Sequence, residues 1–179
     1  MHSSYYDSLL DSKKDALRRK KLKEIREYKH KDEYAEKLIE WIRNHRLYNE
    51  ASAILAFSPL RSEVDISPIL DDERILLPYI DESGMHFTPG KGNMIRNSLG
   101  FYEPVEKREC QYEKAVMLVP LIAFDKDLNR LGRGGGYYDR YIRENRHKLY
   151  TIGICFPASL TEEVPTSPLD EPLDEIPVL

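Results

Sequence analysis

The chain has 179 residues, 41% hydrophobic and 32% charged, with a formal net charge of −4. That composition fits a soluble globular protein with one core, read as a single domain over 1–179. No apolar run reaches membrane-spanning length, and the first eleven residues lack the apolar core of a signal peptide, so a cytoplasmic protein with no membrane partner is expected. Two cysteines, Cys110 and Cys155, are too few for a disulfide framework, and the five histidines form no His-x-x-x-His pair that would suggest zinc. Residues 1–48 carry 13 Lys/Arg against 9 Asp/Glu, whereas residues 161–179 carry six acids and no base. Acids interleave the N-terminal lysines and no aromatic residues alternate with them, so a solvated helix face is expected there and not a nucleic-acid partner.

Taken in chain order, residues 11–27 contain no Gly or Pro and predict a helix, with Leu10, Leu17, Ile25 and Tyr28 as a loose apolar stripe. A second helix is predicted from Asp32, with Ala35, Leu38, Ile39 and Ile42 at helical spacing. Residues 53–57 read as a buried strand. Residues 62–70 read as a short helix capped by Ser62, and 74–77 as a second strand stopped by Pro78. Asp81-Glu82-Ser83-Gly84 is a turn signal, with 85–87 returning as a hairpin. Residues 88–114, rich in Gly, Asn and charge, read as a long loop. Residues 115–119 are a continuous apolar run and predict an interior strand. A helix is predicted from Tyr137 and a further strand over 150–155. A tail with five prolines in residues 157–179 is expected to wrap around the rest. Strands alternating with helices predict an α/β fold with a mostly parallel sheet layered between helices. Ligands in such sheets sit at the carboxyl ends of the strands.

The segment Arg130-Leu131-Gly132-Arg133-Gly134-Gly135-Gly136-Tyr137-Tyr138-Asp139-Arg140 holds four of the nine glycines. Glycine lets backbone N–H groups converge on an anion, and the helix that follows would turn its positive end to the same point. Arg130 and Arg133 suit bidentate contact with phosphate or carboxylate, and Asp139 suits a phosphate-bound Mg²⁺. No Gly-Lys-Ser/Thr follows, so this is not a Walker A loop, and the glycine spacing is not that of a dinucleotide fold. The competing reading is a glycine-rich surface turn with solvated arginines.

This segment resembles the signature of the 5-formyltetrahydrofolate cyclo-ligase family, also called methenyltetrahydrofolate synthetases. Further short matches follow in order: Lys14-Asp15-Ala16-Leu17-Arg18, Glu63-Val64-Asp65, residues 119–125, and Asp170 with Asp174. The resemblance implies the layered α/β fold that this family shares with sugar-phosphate isomerases and CoA transferases. It also implies ATP-dependent conversion of 5-formyltetrahydrofolate to 5,10-methenyltetrahydrofolate, with Mg²⁺ as cofactor and no obligatory protein partner. Carried over position by position, Lys14 to Arg18 and Arg130 to Tyr138 would bind ATP. Ser58, Glu63 and Arg133 to Tyr137 would contact the folate. Asp139 and Asp170 would hold the metal, and Arg133 would stabilise the transferring phosphoryl group. Read without the resemblance, Lys14 and Arg18 are an ordinary charged face, Glu63 is a helix-start residue, Asp139 pairs with Arg140 or Arg143, and Asp170 is solvent-exposed. Met85, Phe87, Phe101 and Tyr102 are candidates for an apolar wall against the folate rings. The family's Gln near the start of the tail has no counterpart at Ser159-Leu160-Thr161, so no contact is expected there. The alternatives are a phosphosugar or CoA-ester enzyme of the same fold, or a non-catalytic nucleotide-binding module.

Overall fold

The computed structural model describes residues 2–179, with side chains described from Asp7 onward; Met1 lies outside the described residues. Helix α1 runs over His2–Glu27, α2 over Lys31–Asn44, a short α3 over Arg46–Glu50, and α4 over Tyr137–Asn145. In α2 the apolar spacing sets which face is covered, and Tyr34, Ala35, Leu38, Ile39 and Ile42 are buried. Asp32 and Glu33 in its first turn and Arg43 in its last complement the helix dipole.

Five strands form the main sheet: β1 (Ala53–Leu55), β2 (Ile75–Asp81), β3 (Gly84–Pro89), β6 (Ala115–Pro120) and β9 (Leu149–Ile154), in the order β3-β2-β1-β6-β9. The pairs β2–β1, β1–β6 and β6–β9 are parallel, and only β3 is antiparallel. Alternate residues of the inner strands enter two cores. Ile54, Val116 and Leu118 pack with Ile25 of α1 and Leu38 and Ile42 of α2. Leu55, Met117 and Val119 pack on the other face with Ile142 of α4. The predicted mostly parallel sheet between helices is what forms.

Several boundaries differ from the sequence expectation. Pro78 does not stop β2; it pairs with Phe87 inside the strand. Ile54 and Ala56 donate to the carbonyls of Arg74 and Leu76, so the even-numbered residues of β2 turn toward β1. Lacking an N–H, Pro78 cannot continue that ladder past Ala56, and β1 ends at Leu55. The segment 88–114 is not featureless. β3 extends to Pro89, and β4 (Met94–Arg96) pairs antiparallel with β5 (Tyr102–Pro104) around a turn closed by Gly100 N–H to the Asn97 carbonyl. The predicted helix at 62–70 shrinks to one 3₁₀ turn at Ser67–Ile69, and Ser62 caps nothing. A second small hairpin, β7 (Ala123–Phe124) with β8 (Arg130–Leu131), stands between β6 and the glycine loop. The tail wraps as expected: the Gly153 N–H donates to the Glu175 carbonyl, and Ile152 bridges Glu175 in parallel at the β9 edge.

Candidate active site

A cavity of about 460 Å³ opens where β1, β2 and β6 end. Phe57, Ser58, Leu60 and Glu63 reach it from beyond β1, Pro78 and Ile80 from β2, and Pro120 to Ile122 from the exit of β6. The glycine loop, Arg130 through Asp139, forms one wall, and Asp11, Lys14 and Arg18 of α1 form another. These three are spaced i, i+3, i+7, one stripe of a helix. Asp170 of the tail adds a further acid to the lining, and Met85, Leu99 and Phe101 add apolar surface.

The loop's conformation depends on its glycines. Gly134 has φ +102 and Gly136 φ +65, the second serving as the residue before α4. A side chain at either would be strained, and one at Gly134 would also press on the Arg18 guanidinium at 3.3 Å. Arg18 in turn donates from Nε to the Gly132 carbonyl at 2.8 Å, which ties α1 to the loop.

Four cations line the cavity, Lys14, Arg18, Arg130 and Arg133, opposite four acids, Asp11, Glu63, Asp139 and Asp170. Lys14 Nζ donates to Asp170 Oδ2 at 2.6 Å, and Arg130 Nη1 to Asp139 Oδ1 at 2.8 Å. Arg133 donates from Nε to Glu63 Oε1 at 3.0 Å and from Nη2 to Ser62 Oγ at 2.7 Å. Arg18 pairs with Asp15. Arg130 is 6% exposed, and its Nε is buried with no hydrogen-bond partner among the described residues, a donor suited to an oxyanion. Burial pushes the Tyr138 phenol well above its ordinary range, and the charge of Glu63 adds to this, so Tyr138 is a neutral hydroxyl. Burial would also raise the Asp170 carboxyl, but Lys14 and the Ser167 N–H outweigh it and hold Asp170 below its ordinary value.

The cavity thus collects Lys14, Arg18, Ser58, Glu63, the whole segment from Arg130 to Asp139, and Asp170. Asp15, Ala16 and Leu17 do not line it, because helical geometry turns them elsewhere; Leu17 packs beside Ala123, Leu131 and Val164. Asp139 pairs with Arg130 and not with Arg140 or Arg143, and Asp170 is paired and partly buried, not solvent-exposed. Of the aromatic and apolar wall, Met85 and Phe101 line the cavity. Phe87 instead packs on Tyr141 in the core, and Tyr102 points to solvent. Sequence reasoning missed Asp11, whose signal was its helical spacing from Lys14. It also missed Leu60, Ile80 and Leu99, which carry no local signal.

Comparison with known proteins gives consistent matches. The sequence profile of the 5-formyltetrahydrofolate cyclo-ligase family matches residues 11–178. A 5-formyltetrahydrofolate cyclo-ligase of Haemophilus influenzae is 37% identical over 87 residues, 46% of either chain, so that match spans just under half the relative's length. The protein of the same description from Mycolicibacterium smegmatis is 30% identical over 151 residues, 76% of this chain and 77% of that one. The solution structure of the Aquifex aeolicus 5,10-methenyltetrahydrofolate synthetase superposes with a TM-score of 0.79 at 25% identity, covering 92% of this chain and 89% of that one.

Proposed function

This chain belongs to the 5-formyltetrahydrofolate cyclo-ligase family, and from that premise we propose that it converts 5-formyltetrahydrofolate and ATP to 5,10-methenyltetrahydrofolate, ADP and phosphate. The observation that carries this reading is one cavity lined both by the cationic glycine loop and by apolar side chains such as Met85, Ile80 and Phe101. That combination suits a polyphosphate beside a flat heterocycle. The whole span 1–179 is read as one cyclo-ligase domain, acting in the cytoplasm without an obligatory protein partner.

In this reading the loop N–H groups, Lys14, Arg18 and Arg130 bind the ATP phosphates, and Glu63 accepts hydrogen bonds from the pterin's amino and ring N–H donors. Ser58 and the loop residues Arg133 to Tyr137 contact the folate. The formyl oxygen attacks the γ-phosphorus and ADP leaves. N10 then attacks the activated carbon, phosphate departs with the former formyl oxygen, and the N10 proton goes to solvent. No protein nucleophile is needed; the residues position the two substrates and stabilise charge, with Arg133 placed to act on the transferring phosphoryl group.

The donor set fits Mg²⁺. Asp139 Oδ2 and Asp170 Oδ1 carry no hydrogen bond among the described residues. Both acids line the cavity, and the N–H of Glu171, next to Asp170 in the chain, donates to Asp139 Oδ1 at 3.0 Å. Phosphate oxygens drawing Lys14 and Arg130 away would leave both acids in need of a cation. Asp139 and Asp170 would hold it, and its charge would neutralise part of the polyphosphate.

The test is direct. Protein mixed with 5-formyltetrahydrofolate, ATP and Mg²⁺ should generate the absorbance of methenyltetrahydrofolate, and omission of ATP or Mg²⁺ should abolish the signal. Folded protein that binds nucleotide and forms no product would reduce the site to a binding module.

A further inference from the structure

Arg133, assigned above to the transferring phosphoryl group as well as to the folate, and Glu63, assigned to the folate, are bonded to each other. The contact joins the glycine loop to the segment beyond β1, and Ser62, to which no role has been given, completes it by accepting from Arg133 Nη2. The two ends are unequal. The Glu63 side chain is 10% exposed and its second oxygen accepts the Leu60 N–H at 2.9 Å, whereas the Arg133 side chain is 45% exposed. Glu63 is therefore the fixed end and Arg133 the movable one. Gly134 and Gly136, both at positive φ, follow directly in the loop that carries it.

We infer that Ser62 is a positioning residue: with Glu63 it holds Arg133 off the nucleotide until the folate arrives. This rests on the cyclo-ligase reading. Pterin N–H donors compete with Arg133 for Glu63 Oε1. Once that oxygen is taken, Arg133 keeps only a neutral hydroxyl, a far weaker acceptor than a phosphoryl oxygen. ATP arriving alone meets an arginine already engaged, and must break both bonds to recruit it. Each substrate should therefore bind more tightly in the presence of the other, reciprocally. The same contact withholds Arg133's charge from ATP when no formyl acceptor is bound, which restrains transfer of the phosphoryl group to water.

Nucleotide affinity should be measured with the β,γ-imido analogue of ATP, with and without 5-formyltetrahydrofolate, for the natural protein, Ser62→Ala and Ser62→Thr. Folate should tighten nucleotide binding by roughly 3- to 10-fold in the natural protein, the value of one or two such bonds. Ser62→Ala should tighten nucleotide binding in the absence of folate, shrink the coupling and raise folate-independent ATP hydrolysis. Ser62→Thr keeps the hydroxyl and should restore the coupling. In an Arg133→Ala background, Ser62→Ala should change nothing, since the hydroxyl then has no arginine to hold. A natural-protein coupling factor of one, or a Ser62→Ala factor equal to it, overturns the inference while leaving the cyclo-ligase reading intact. Protein that binds both ligands and forms no product overturns both.

Discussion

Asp139 serves two neighbours at once. Its Oδ1 accepts from Arg130 and from the Glu171 N–H, while Oδ2 has no hydrogen bond among the described residues. The first pairing fixes the orientation of a buried arginine; the second oxygen is the one a hard cation would use. The two roles separate in Asp139→Asn, which keeps an acceptor for Arg130 but removes a charge from the proposed Mg²⁺ site. The Mg²⁺ concentration for half-maximal rate should rise roughly 10-fold, with partial recovery at high Mg²⁺. Steady-state rates across a Mg²⁺ series check this, and an unchanged requirement would make Asp139 a structural partner of Arg130 alone.

Among the elements, the glycine loop has a backbone that an ordinary sequence could not adopt without strain. Gly134 sits at φ +102, a conformation that L side chains rarely adopt, and its open Cα is where Arg18 approaches. Gly134→Ala should raise the KM for ATP about 10-fold, the equivalent of 1–2 kcal/mol of backbone strain. It should move the melting temperature far less, because no core side chain is disturbed. A loss of stability without a loss of ATP affinity would show that the loop is a structural turn. In β2, Pro78 has no N–H to continue pairing with β1, the β1 ladder stops at Leu55, and Pro78 and Ile80 beyond it line the cavity.

Across the whole molecule, the cavity is closed by segments from opposite ends of the chain. Lys14 of α1 meets Asp170 of the tail, 156 residues away. The tail is further held by Asp174, which accepts from Arg146 Nη2 at 2.8 Å and from the Thr151 N–H at 2.8 Å. The Asp170 carboxyl is held below its ordinary value of 3.8, so its stabilising contribution is complete above that value and disappears as pH falls through the lower folded value. Hydrogen exchange of the amides of residues 165–175 should therefore lose protection below about pH 4, after correction for the intrinsic rate. Asp170→Asn should remove that acid-dependent component. An identical pH profile in the variant would mean that the tail is held by Asp174 and its partners, not by the Lys14 pair.

How far the sequence could be read depended on how local each signal was. The period of α2, the apolar run of β6 and the glycine loop are statements about neighbouring residues, and each element forms where its pattern lies. The family resemblance was legible for the same reason, since short ordered motifs carry it. The β4–β5 hairpin was missed because its exposed Ile95, Leu99 and Tyr102 do not alternate as a half-buried strand does. The helix expected at 62–70 does not form: Glu63 bonds back to Leu60 in a turn and across to Arg133, 70 residues away, and only Ser67–Ile69 winds into a 3₁₀ turn. Residue type and spacing thus set which charged and polar groups are available to the proposed phosphate, metal and folate sites. Which cation faces which acid, which side of α1 meets the cavity and which aromatic side chains reach it are long-range packing outcomes. They depend on where strand ends, helix rotation and the tail come together, and only the tertiary structure decides that.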